Sequence, residues 1–166
     1  MIRIFFNILK NLDPEVAHKL TINALKLPNP FIESSNDISI LSNDINGLRF
    51  KNPIGMAAGF DKNAEVINSL FNLGFGFIEC GTVTPRPQFG NAKPRVFRLA
   101  SDKAIINRLG FPNDGMKIIR KRIQGKKPIG ICGINIGPNK KNATLIDDYL
   151  ICFNNFFDLA SYVTIN

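Results

Sequence analysis

The chain has 166 residues, 21 lysines and arginines against 13 acidic residues, and 45% hydrophobic side chains. That length suits one domain with a sizeable core, and the apolar fraction argues against intrinsic disorder. Three scattered cysteines (Cys80, Cys132, Cys152) without a CxxC pair argue against a disulfide scaffold and fit a reducing compartment; a single histidine, His18, removes His-rich metal sites and most His-based triads.

The net charge of +8 leaves two readings open: a general compositional bias, or attraction to a phosphate-bearing ligand or an anionic membrane. The opening MIRIFFNILKNLD is too short to span a bilayer, which takes about 20 apolar residues, and it lacks a small-residue cleavage site. Asp13-Pro14-Glu15 is a helix start: a capping aspartate, a proline at the first helical position and a glutamate at the positive end of the dipole. Val16, Leu20, Ala24 and Leu27 follow at helical spacing until Pro28-Asn29-Pro30. Two short helices are therefore expected, over residues 2–10 and 14–27. They form either a hairpin packed on the domain or an interfacial membrane anchor, since Phe5 and Phe6 lie among isoleucines with Arg3, Lys10, Lys19 and Lys26 nearby.

Asn46-Gly47 between the apolar runs 38–45 and 48–50 signals a β-hairpin. The chain then alternates. Strands are expected over residues 54–58, 77–83, 129–134 and 162–165. Helices are expected over 64–73, closed by Gly74; over 114–123, capped by Asn113 and stopped near Gly125; and over 145–157. The strands are apolar runs without clean alternation, as expected when helices cover a parallel sheet. The pattern is (βα)₃β after a hairpin, an α/β fold with right-handed crossovers.

Each strand runs into small, amide, hydroxyl or cationic residues: Gly59 to Asn63, Gly81 to Pro85, Asn135 to Gly137, and Asn166. In α/β folds that carboxyl edge carries the ligand, although glycine and asparagine are also plain turn formers. Neither GxGxxG nor GxxxxGK[ST] occurs, which argues against a Rossmann dehydrogenase or a P-loop NTPase. The basic residues form no stripe beyond Arg120-Lys121-Arg122 and Lys126-Lys127 and have no aromatic stacking motif, so nucleic-acid binding is not expected.

NPIGMAAGFDKN (residues 52–63), GFGFIECGTVTPRPQFGNAKPRVFRL (74–99) and INRLGFPNDG (106–115) resemble quinone-dependent (class-two) dihydroorotate dehydrogenases. LDPEVAH (12–18) and GINIGPNK (133–140) are similar to further blocks of that family. The resemblance implies the N-terminal half of a (β/α)₈ TIM barrel that binds FMN. Residues 1–37 would be a helical extension on the quinone and membrane side, and residues 38–166 the first half of the barrel, ending after strand four. It implies oxidation of dihydroorotate to orotate in pyrimidine biosynthesis, with electrons passed to a membrane quinone, at the cytoplasmic face of the inner membrane as a peripheral protein.

Residue by residue, the resemblance assigns Ala58, Gly59, Phe60, Asp61, Lys62, Thr82, Asn135 and Asn166 to the flavin. Lys62 and Asn166 are shared with the substrate. Asn107, Arg108, Leu109, Gly110 and Phe111 match a substrate-contacting segment, followed by Pro112 where an asparagine is expected. His18 and Arg98 match polar groups of the quinone tunnel, while the residues alone leave His18 equally readable as a helix-packing histidine. The family's catalytic serine comes beyond the position of Asn166. The chain is therefore expected to be inactive by itself: a fragment of a longer protein, a half completed by a second chain carrying the rest of the barrel, or a non-catalytic remnant of a truncated or split gene that binds flavin or membrane weakly.

Overall fold

A computed structural model of the chain describes residues 9–27, 39–140 and 144–166. The helix expected over 2–10 lies mostly outside these residues; its end is seen as helical residues 9–11. Helix α1 (Pro14–Leu25) starts as the sequence dictates, with the Asp13 carboxylate accepting from the amides of Glu15 and Val16 at 2.9 and 3.1 Å. Such a cap stabilises a helix by about 1 kcal/mol. It ends two residues earlier than expected and buries Ala17 and Ile22, leaving Val16 and Leu20 half exposed.

Strands β1 (Asn43–Ile45) and β2 (Leu48–Phe50) pair antiparallel about Asn46-Gly47. Both turn residues have positive φ (50° and 81°), as a two-residue hairpin turn matching strand twist requires. The first arm is shorter than expected, because residues 39–41 form a 3₁₀ turn.

The main sheet holds β3 (Gly55–Met56), β4 (Phe77–Val83), β7 (Ile131–Ile136) and β8 (Tyr162–Ile165), all parallel, in the order β3-β4-β7-β8. Helices α2 (Ile67–Asn72), α3 (Met116–Lys126) and α4 (Leu145–Phe156) connect the strands in turn. The α/β alternation expected from the sequence is the one observed. Strand β3 is shorter than the expected 54–58, β7 starts and ends two residues later than 129–134, α2 is shorter than 64–73, and α4 ends one residue early.

Helix α3 differs in its start. Asn113 does not cap it: its Oδ1 accepts from the Gly115 amide at 2.8 Å and its Nδ2 donates to Thr84 Oγ1 at 2.8 Å, so it ties two loops together, and the helix begins after Gly115. Gly125 does not stop the helix either; the turn continues to Lys126. Strands β5 (Val96–Leu99) and β6 (Ala104–Asn107) form an antiparallel hairpin in the β4–α3 connection that the sequence reading did not anticipate.

Alternation along the strands divides the sheet into two faces. Ile78, Cys80, Cys132, Ile134 and Ile136 meet Ile67, Leu70, Ile119, Ile123, Cys152 and Phe156 of the helices in one buried core. The cysteines are all buried thiols, and burial raises Cys152 to about 12, so they behave as small apolar residues. The opposite face alternates bulky with absent side chains. A Cβ on Gly133 would stand 2.2 Å from the Tyr162 ring, so the tyrosine lies flat across β7. Phe50 of the hairpin meets Phe77 edge-on, with centroids 5.3 Å apart, closing this face at the amino ends of the strands.

Candidate functional site

The carboxyl ends of β3, β4, β7 and β8 converge on one edge, and the residues expected there fall into two connected groups. The first lines a cavity of about 650 Å³ between α1, the β5–β6 hairpin and the loop after β3, including His18, Gly59, Lys62, Arg98, Asn107 and Leu109. Residues assigned to flavin, substrate and quinone by resemblance thus share one space. Five cations (Lys19, Lys62, Lys93, Arg95, Arg98) line it against two carboxylates, Glu15 and Asp114. Both carboxylates are committed: Glu15 to Arg95 at 2.7 Å, and Asp114 to Arg122 at 2.6 Å. The cavity is cationic and suits an anion.

Lys62 is folded back, its Nζ donating to Gly59 O at 2.5 Å, and burial lowers its pKa from the usual lysine value. Gly59 itself has φ +102°, a conformation that favours glycine, and nothing stands within 4 Å of where its Cβ would be. Its backbone is therefore open to a flat ligand. His18 Nε2 lies 2.6 Å from Phe60 O, and the rings meet edge-on. A carbonyl only accepts, so Nε2 carries the hydrogen. Burial first, and then the nearby Lys62 charge, lower the His18 pKa, which favours a neutral imidazole whose Nδ1 is an acceptor.

Arg98 lines the cavity, but its guanidinium also binds the helix end at residues 9–12. It donates to the carbonyls of Lys10 at 2.8 Å, Leu12 at 2.5 Å and Leu9 at 3.4 Å, a cation on a helix C-terminus. Asn107 is exposed, its Oδ1 3.4 Å from the Leu109 amide.

The second group is a polar chain at the strand ends. Thr82 Oγ1 donates to Asn135 Oδ1 at 2.7 Å; Asn166 Nδ2 donates to Asn135 Oδ1 at 3.0 Å and to Thr82 Oγ1 at 2.9 Å. The backbone joins the two groups, since the Gly59 amide donates to Gly81 O at 2.9 Å. Gly81 has to be glycine: φ is +120° and a Cβ would stand 2.4 Å from Asn135 O.

Other expected residues act through the backbone or the core. The Asp61 carboxylate is buried and accepts from the amides of Glu65 and Val66 at 2.8 and 2.9 Å, so it shapes the loop that presents Lys62. Burial raises its pKa against those bonds. Arg108 donates to Pro94 O and stands over the Phe97 ring, and Gly110 O accepts from Gln88. Phe111 lies beside Gly137, after β7. Ala58 and Phe60 sit within the loop, with Phe60 packed against the core.

Three residues at this edge were missed. Arg95 is buried and bonded to Glu15 and to the carbonyls of Phe89 and Asn91. Asn139 holds Thr84, Arg86 and Gln88 together. Glu79 lies under Asn135, and period-two polarity in β4, β7 and β8 was the signal for it. Among the described residues, no group of three or more His, Cys, Asp or Glu could hold a metal, and no helix is long and apolar enough to cross a membrane.

The family model for dihydroorotate dehydrogenase matches residues 40–166. A dihydroorotate dehydrogenase (quinone) of Bartonella henselae is 56% identical over 155 residues, covering 93% of this chain and 42% of that protein. One of Rhodospirillum rubrum is 48% identical, covering 99% and 45%. The crystal structure of DHODH from Eimeria tenella in complex with ferulenol aligns with TM-score 0.86 at 40% identity, over 98% of this chain and 46% of that one. The chain spans under half the length of the curated relatives it matches.

Proposed function

Since the chain belongs to the dihydroorotate dehydrogenase family, we propose that it supplies the ring-facing half of a quinone-dependent enzyme that oxidises dihydroorotate to orotate. The observation that carries this reading is that Lys62, Gly59, Asn107 and His18 all line one cationic cavity. Residues 38–166 form the barrel part of this reading, and residues 1–37 its quinone-side extension.

The residues present fit the ring end of FMN: an open glycine backbone for its flat face, a lysine for its developing negative charge, and the oxygen-bearing end of the Thr82–Asn135–Asn166 chain for its polar edge. When bound, the flavin supplies the two-electron chemistry. Lys62 pairs with the carboxylate of the substrate from a poorly hydrated position, where a charge interaction is strong. Asn107 offers an amide that matches both the N–H and C=O of a pyrimidine edge. His18 Nδ1 accepts a proton-bearing group on the α1 side of the cavity. Phe60, packed between His18 and the core, keeps that side dry.

Titrating free FMN with the 166-residue chain tests the reading. Saturable, one-to-one quenching of flavin fluorescence that orotate perturbs is the expected result; no binding up to about millimolar protein, near the weak end of specific affinity, counts against it. The extension is proposed to rest on the cytoplasmic face of the inner membrane, through the apolar residues before Asp13 and the cations Lys10 and Lys19; Lys26 is paired with Glu65 at 2.5 Å. Flotation with anionic vesicles is expected for the intact chain and to be lost on removing residues 1–27. Equal flotation of both would overturn the membrane contact.

A further inference from the structure

Glu79 is a carboxylate on the interior face of the sheet that the chemistry proposed above does not use. Its Oε1 accepts from Asn135 Nδ2 at 2.9 Å, and its Oε2 accepts from Tyr162 Oη at 3.1 Å and Thr164 Oγ1 at 3.0 Å. A carboxylate can only accept. Asn135 must therefore turn its NH₂ inward to Glu79 and its Oδ1 outward to the strand ends.

The consequence propagates. The outward Oδ1 takes hydrogen bonds from Thr82 Oγ1 and Asn166 Nδ2, and Thr82 Oγ1, having given its proton to Asn135, accepts the second one from Asn166. With its NH₂ spent on both, Asn166 has its Oδ1 at the outer end of this hydrogen-bonded chain, without a hydrogen bond among the described residues. All donors run inward and Glu79 is where they end. Tyr162, whose pKa is raised by burial and by the Glu79 charge, belongs to the same cluster.

We propose that Glu79 is a positioning residue that fixes the polarity of the Thr82–Asn135–Asn166 chain, so that Asn166 meets a ligand with its carbonyl oxygen and selects a ring N–H. Flavins and dihydropyrimidines both carry that group. The ligand part of the inference rests on the reading of the previous section; the polarity part stands on the geometry alone.

Side-chain amide exchange, followed by NMR in the unliganded 166-residue chain, tests the polarity. The Asn135 NH₂ is expected to be protected in the parent chain. In Glu79→Gln, nearly isosteric but able to donate or accept, its exchange is expected to quicken by about tenfold or more. Tyr162→Phe removes a different donor from Glu79 while keeping the ring over Gly133, and is expected to leave Asn135 protected. Separate titrations with FMN and with orotate then show which ring N–H meets Asn166. The one that does is expected to bind Glu79→Gln on the order of tenfold more weakly. Free exchange of Asn135 in the parent chain overturns the inference even if the variant does not fold. Unchanged exchange and unchanged affinity in a folded Glu79→Gln overturn it as well. A parent chain that binds neither ligand counts against the functional reading, and the exchange data still decide the role of Glu79.

Discussion

Replacing Lys62 by alanine is expected to weaken orotate binding by roughly 30- to 4000-fold, the equivalent of the about 2–5 kcal/mol lost when one partner of a desolvated charge pair is removed. Lys62 is the cation best placed to give so much. Its ammonium is folded onto Gly59 O and is held below the ordinary lysine pKa by burial, so in the absence of ligand it is poorly hydrated. A bound carboxylate relieves that deficit, whereas a surface lysine would gain little from one. A second readout comes from His18, the only histidine in the chain and so a single signal in an NMR titration. Burial first and then Lys62 push the His18 pKa down, and removing Lys62 is expected to move that pKa up. The sign carries over to stability. A base with a depressed folded pKa lets the unfolded chain take up protons first, so the fold loses stability as pH falls below about 6.5. In Lys62→Ala that loss is expected to shrink. Unchanged orotate affinity with a shifted His18 would mean that Lys62 faces the cavity without holding the ligand; an unmoved His18 would sink its placement altogether.

How much of this was legible in the sequence depends on how local the cause is. Strands β4 and β8 were read to the residue, because each is a short run of apolar and β-branched side chains bounded by turn residues. The hairpin about Asn46-Gly47 was legible for the same reason: its turn needs two positive φ angles and names the residues that supply them. Strands β5 and β6 were not legible. Each is four residues long, their connection lacks glycine, and Lys93, Arg95, Arg98, Lys103 and Arg108 interrupt the apolar residues around them. Their pairing follows instead from where the β4–α3 connection is anchored, at Arg95 and Asn113. The site divides in the same way. Gly59 and Lys62 announce themselves in one compact motif. Glu79 reads as an interruption of an apolar strand until alternate positions of three strands are laid side by side: Glu79 and Gly81, Gly133 and Asn135, Tyr162 and Thr164. The ion pair of Arg95 with Glu15 joins residues 80 positions apart, and nothing in either local sequence specifies it.

That pair carries the other large expected effect, in Arg95→Met. The Arg95 side chain is 9% exposed, and the residue joins three pieces of structure, two through its guanidinium and one through its backbone. Nε and Nη2 donate to the Glu15 carboxylate at the start of α1, while Nη1 donates to the carbonyls of Phe89 and Asn91, at 2.6 and 3.0 Å. Its own carbonyl accepts from the Arg108 amide at 2.9 Å, at the end of β6. Methionine keeps the volume of the stem and removes every donor. Losing one partner of a buried pair costs about 3–5 kcal/mol, and Glu15, with its side chain 22% exposed and Lys93 3.5 Å away, keeps some solvation, so the lower end of that range applies. The loss is expected to be local. Amide exchange should quicken in α1 and in residues 89–95, while the β4 and β7 amides, paired in the sheet and backed by the core, stay protected until global unfolding. His18 rides on α1, so its contact with Phe60 O should loosen and the cavity should lose one wall. Acid adds a test of the cause. The Arg95 guanidinium holds the Glu15 pKa below 4.5, so the pair contributes stability that is present above that pH and lost as pH falls through the lower folded value. Because solvent reaches Glu15, this pH-dependent share is small, and it should shrink in Arg95→Met, where Lys93 alone still holds the carboxyl down. A variant that melts with the parent, keeps α1 protected and shows the same acid slope would mean that packing alone, and not this ion pair, holds the first helix over the cavity.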